Sequence, residues 1–114
     1  MKKYIFFLLP LFLIIMSSSV LLNTSLKLTV LDELGNIVEG ASVDLYSSGE
    51  DYDNNANPIQ ETQVTNQKGQ VVFKNLDKKK YWINVEKGDK NNFGAGVEVE
   101  LVTGKINKST VIIE

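Results

Sequence analysis

Asp51, Asp53 and Asn55 come nearest to chemistry by type and spacing, at alternating positions in Asp51-Tyr52-Asp53-Asn54-Asn55-Ala56-Asn57. Hard oxygen ligands two residues apart are how the first half of a calcium loop presents itself. The pattern then breaks: Ala56 stands where the sharp-turn glycine belongs, and Thr62 where a bidentate glutamate would close the shell. A solvated acidic loop accounts for the same residues, so calcium stays open as a metal ligand while no other cofactor is expected.

Other chemistries fail on residue type. The chain has no histidine, no cysteine and no arginine, and all 12 of its basic residues are lysines. Those absences remove the usual general base near neutral pH, thiolate and zinc–thiolate chemistry, and the bidentate phosphate fork. Glu98 and Glu100 share one face of an alternating segment, but a carboxylate pair with no second pair or cleft residue reads as a solvated face. The expectation is a protein that is not an enzyme. Contact chemistry is left to Trp82 and Tyr52, whose rings suit a protein surface or a sugar-stacking platform.

Those residues need elements to hold them, and most of the chain supplies strands. Leu26/Leu28/Val30, Val43/Leu45, Val71/Phe73, Tyr81/Ile83/Val85 and Val97/Val99/Leu101 alternate with polar residues, the period-2 signature of half-buried strands. With a weak polar strand over residues 60–65 and a last one over 107–113, seven short strands are expected. They are separated by turn signals at Gly35, Gly69 and Gly104, and no helical period follows the first twenty residues or so. Residues 47–58 read as a long polar loop, residues 87–92 as a shorter one, and Phe93 as a core or end-plug residue.

Lys2 and Lys3 precede an apolar run over residues 4–16, then Ser17-Ser18-Ser19. This is the layout of a secretory signal with a small-residue cleavage region before Val20. The same stretch through Leu22 would span about 28 Å as a helix, enough for a membrane anchor. Residues 1–22 are therefore expected to be a signal peptide or a membrane anchor, with residues 23–114 as one domain. Such a protein is exported to the periplasm or cell surface, or held at the membrane through residues 1–22 alone. Without Lys2 and Lys3, ten lysines face fourteen acids, a net charge of −4 that disfavours nucleic acid. The run Lys78-Lys79-Lys80 reads as a solvated turn.

Between Phe73 and Tyr81 lies a charged link that carries one apolar residue, Leu76. A plain hairpin gives Leu76 no role. If the link instead crosses from one sheet to the other, Leu76 plugs the end of the core and Tyr81 folds over the corner with its hydroxyl on upstream backbone, the tyrosine corner of immunoglobulin-like sandwiches. The crossover is the favoured reading. Trp82, between inward Tyr81 and Ile83, then lies on the outer face of its sheet, with neighbouring lysine stems or a loop to cover it.

The pattern Val30-x-Asp32-x-x-Gly35-Asn36-x-Val38-x-Gly40-Ala41-x-Val43-x-Leu45, followed by Thr65-x-x-x-Gly69-x-Val71-x-Phe73-x-x-Leu76 and Tyr81-x-Ile83-x-Val85, resembles the carboxypeptidase regulatory-like (transthyretin-like, prealbumin-like) domain of cell-envelope proteins. The resemblance implies an all-β, seven-stranded antiparallel immunoglobulin-like or prealbumin-like β-sandwich preceded by the N-terminal hydrophobic helix. It also implies a non-catalytic binding or structural module of the bacterial cell envelope with a protein or surface-glycan partner. A transthyretin-like carrier of a small ligand or calcium is the alternative. Cna B-type adhesin domains share the pattern but cross-link from a lysine at the position of Val30, so no isopeptide bond is expected there. Transthyretin-like hydrolases depend on histidines and an arginine that this chain does not contain.

Overall fold

The computed structural model describes residues 23–114; the expected signal or anchor helix over residues 1–22 lies outside the described residues. Two sheets face one another. The first has the order β4-β1-β8, built from β1 (Thr24–Asp32), β4 (Gln70–Leu76) and β8 (Ile106–Ile113). The second runs β3-β2-β5-β6, from β2 (Ser42–Tyr46), β3 (Gln63–Val64), β5 (Lys80–Lys87) and β6 (Lys90–Asn91), and β7 (Glu98–Glu100) also pairs with β5. A six-residue helix, α1 (Gly49–Asn54), follows β2.

The alternating residues build the core as their period requires. Leu26, Leu28 and Val30 of β1 and Val71 and Phe73 of β4 meet Val43, Leu45, Tyr81, Ile83 and Val85 of the second sheet, all buried. Each such aliphatic side chain stabilises the fold by about 1.5–3 kcal/mol relative to exposure. Among the described residues no charged side chain is buried.

β4 and β5 are consecutive in sequence yet lie in different sheets, so the link between them is the expected crossover. Leu76 is buried at its start and Tyr81 is 1% exposed at its end. The Tyr81 hydroxyl accepts from the backbone N–H of Asp77 (3.1 Å) and Lys78 (3.0 Å) and donates to Asp77 Oδ1 (3.1 Å), which makes this a tyrosine corner. Asn75 enters the corner at φ 58°.

Three features depart from the expected seven antiparallel strands. The polar segment 87–92 turns at Gly88 and adds a short strand, β6, so the described residues hold eight. β8 runs parallel to β1, in register from Ser25↔Ile106 to Asp32↔Ile113. The third is α1: Ser48 caps it, its Oγ accepting from Asp51 N, and Asn55 ends it at φ 50°. The described residues contain no helix long and apolar enough to cross a membrane.

Side-chain amides complete the ladders where strands fall short. Asn92, 2% exposed, accepts from Val85 N through Oδ1 (3.0 Å) and donates through Nδ2 to Ile83 O (3.0 Å) and Gly96 O (3.3 Å). It thus fills the gap on β5 between β6 and β7. On the outer edge of β4, Gln63 Nε2 donates to Val72 O, its Oε1 accepts from Val72 N, and Gln60 Nε2 donates to Lys74 O. Gly69 closes the turn before β4 at φ +71°, where a Cβ would stand 2.6 Å from Ile37 Cγ2 and 3.0 Å from Val30 O.

Candidate binding face

The outer face of the second sheet carries Tyr46 of β2 beside Trp82 of β5, adjacent in register. In an ordinary sandwich both would face water. Here α1 covers part of the face: Tyr52 meets Tyr46 edge-on, with ring centroids 6.0 Å apart and planes at 82°. Gly49 lies so close over Trp82 that a Cβ would be 3.3 Å from Nε1. Tyr46 is consequently buried although it points outward, and desolvation raises its hydroxyl pKa above the usual 10.0. Tyr52 is raised too, by burial first and by the Asp53 charge second.

Trp82 keeps a cation on its ring. Lys80 Nζ stands 5.2 Å from the ring centroid and pairs with Glu98 at 3.2 Å. Both partners are substantially exposed, so the ion pair itself contributes little. Between α1, the β5–β7 edge and the segment 93–97 lies an open groove of about 520 Å³, walled by Tyr52, Trp82 and Phe93 with the carboxylates of Asp53 and Glu98 at its sides. On the same strand as Trp82, Asn84 is buried opposite Asp44, and its Oδ1 has no hydrogen-bond partner among the described residues.

Tyr52 and Trp82, separated by thirty positions in sequence, therefore share one groove, and Asp53 joins them. Asp51 and Asn55 do not line it. Asp51 sits in the first turn of α1 and accepts from Asn57 Nδ2 at 3.5 Å, while Asn55 is the helix cap. The segment whose spacing left calcium open beside a solvated acidic loop is a helical turn, in which residues two apart are rotated by about 200°, so Asp51 and Asp53 diverge. Among the described residues no group of three or more acidic side chains converges as a metal site would require.

Phe93 corrects the sequence reading. It is 57% exposed and walls the groove, and the buried residue beside it is Asn92. A lone aromatic followed by Gly94-Ala95-Gly96 has no apolar neighbours to enter a core with, and that signal was available in the sequence. Glu98 and Gly49 joined the groove through pairings between β5, β7 and α1 that no local pattern encodes.

No protein-family model matches the chain, and no curated protein matches it. Among solved structures it is similar to a streptococcal ancillary pilin (TM-score 0.64, 19% identity, covering 83% of this chain and 33% of that one). It is also similar to BcpA, the major pilin subunit of Bacillus cereus (0.54, 16%, 82% and 30%), and to the Bacillus anthracis TIE protein (0.50, 18%, 79% and 16%). The likeness is one of fold: an immunoglobulin-like or prealbumin-like β-sandwich. The chain spans a third or less of the length of each of these proteins.

Proposed function

We propose that the chain is a non-catalytic module of the bacterial cell envelope, exported by residues 1–22 as signal or anchor, that works by binding another envelope protein. The observation that carries this reading is the aromatic groove of Tyr52, Trp82 and Phe93 on the outer face of a β-sandwich in which no charged side chain is buried among the described residues. The pattern resembling carboxypeptidase regulatory-like domains supports the same accessory role, and two of the structural neighbours are pilins, one ancillary and one a major subunit. Fold alone does not assign function, so the groove bears the weight. Three rings presented at the wall of a cleft, with carboxylates at the sides, suit an apolar or basic side chain of a partner.

The test is affinity capture from envelope fractions with the full chain and its Trp82→Ala and Phe93→Ala variants. A protein retained by the native chain and lost from both variants supports the reading. Equal retention by all three removes the groove as the contact, and retention on cell-wall polysaccharide with no protein captured moves the partner class to glycan.

A further inference from the structure

The two outer faces of the sandwich carry opposite charge. On the first sheet Lys27 of β1, Lys74 of β4 and Lys108 of β8 point outward, and no outward position of the three strands is acidic, in a domain where ten lysines face fourteen acids. Lys27 and Lys108 are side by side in the parallel register, with Val72 on the other flank of Lys27. Their charges repel. Among the described residues the ion pairs are Lys80 with Glu98 and Lys90 with Glu33, so none of these three lysines has an acid within pairing distance. Val72 and Ile106 are exposed on the same face, and Lys27 and Lys68 both border a shallow hollow of about 420 Å³ there. The second sheet is the reverse: Asp44, Glu86 and Glu98 point outward from it, and α1 above them adds Glu50, Asp51 and Asp53.

We infer that the outer face of the first sheet is a docking surface for an anionic lipid bilayer. Lys27, Lys74 and Lys108 meet the headgroup phosphates, Val72 and Ile106 reach toward the acyl boundary, and the hollow beside Lys27 and Lys68 has room for one phosphate. Charge complementarity selects this face, since the acids of the second sheet and α1 are repelled by the same surface. The sequence adds a tether. The apolar run over residues 4–16 joins the domain at Asn23, one residue before β1, which is the middle strand of this sheet. A leader seated in the bilayer therefore keeps the face within two residues of the headgroups. Each lysine near an anionic surface strengthens attachment about fivefold, an effect that salt screens. The aromatic groove lies on the opposite sheet, so the docked domain presents it away from the membrane, and the docking holds whatever fills the groove.

The chain has no cysteine, so one introduced thiol carries one reporter. With the full chain reconstituted in vesicles, a polarity-sensitive fluorophore on Val72→Cys should brighten and shift to the blue where phosphatidylglycerol is present, and stay unchanged in phosphatidylcholine alone. The same fluorophore on Ser42→Cys, exposed on the outer face of the second sheet, should respond in neither. Lys108→Gln should lower the ratio of docked to free domain about fivefold, and changing Lys27, Lys74 and Lys108 to Gln together about a hundredfold, which removes the response while the melting temperature is kept. High salt should remove it as well. Equal responses in the two lipids, equal responses at the two positions, or a response that survives the triple change would overturn the proposal. Capture of soluble polyphosphate with no response on vesicles would overturn it too, by moving the face to a soluble polyanion.

Discussion

Val30 and Val111 lie opposite one another in register on the parallel strands β1 and β8, both buried, so a hydrocarbon pair occupies the place where the Cna B-type pattern has its cross-linking lysine. Neither side chain can form an amide, and the position is filled by packing instead. After digestion, the peptide that carries Val30 should therefore appear at the mass of its sequence, with no loss of ammonia or water. A deficit of either, mapped to a peptide of β1 joined to another, would contradict the pairing.

Tyr81→Phe should destabilise the domain by about 1–3 kcal/mol, since it deprives the Asp77 and Lys78 N–H groups of their acceptor and the Asp77 carboxylate of a donor while leaving the ring in the core. Urea unfolding followed by the fluorescence of the single tryptophan measures this directly. A midpoint unchanged from the native protein would mean that water replaces the hydroxyl without loss.

Asn92→Ala should cost about 2–4 kcal/mol, because three backbone groups, Val85 N, Ile83 O and Gly96 O, lose one shared side chain. Asn92→Asp should be damaging as well, since the carboxylate cannot donate to the two carbonyls. Protection of the Val85 amide against hydrogen exchange is the local readout, and it should fall in both variants.

The dependence on pH follows from two opposite shifts. Burial raises Tyr46, Tyr52 and Tyr81 above the usual 10.0, so the folded state holds these protons more tightly than the unfolded one. That stability is fully present below pH 10 and is lost as pH rises through the raised values. Asp32 is lowered from 3.8 chiefly by the N–H of Asn36, and its contribution is present above that value and lost as pH falls below it. The melting temperature should be level between about pH 5 and pH 9 and fall beyond pH 10 together with the appearance of tyrosinate absorbance. Tyrosinate appearing at pH 9 with the fold intact would contradict the burial of these rings.

What could be read in the sequence was whatever depends on residues close along the chain. Alternation of apolar side chains located β1, β2, β4 and β5, and Leu76 with Tyr81 located the corner, since an apolar residue in a charged link has few places to go. Ser48 and Asp51 form a capping pair that announces α1, but six residues are too few to show a helical period, and the acidic run around them suggested ligands instead. The direction of β8 could not be read, because it is set by the sheet β8 joins, far from it in sequence. The groove was half legible: Tyr52 and Trp82 stood out by type, whereas Phe93 and Glu98 depend on how β7 docks against β5.

The parallel pairing of β1 and β8 also decides how the domain would answer to force. The chain enters β1 beside the start of β8 and leaves β8 beside the end of β1, so Asn23 and Glu114 lie at opposite ends of the pair. Tension applied between them acts along the strands, and the register from Ser25↔Ile106 to Asp32↔Ile113 is loaded in shear rather than peeled from one end. Evenly spaced bonds that must yield together give a high barrier to forced unfolding, whatever the equilibrium stability of so small a domain. Pulled from its two ends, the domain should hold its length until the whole ladder slips at once.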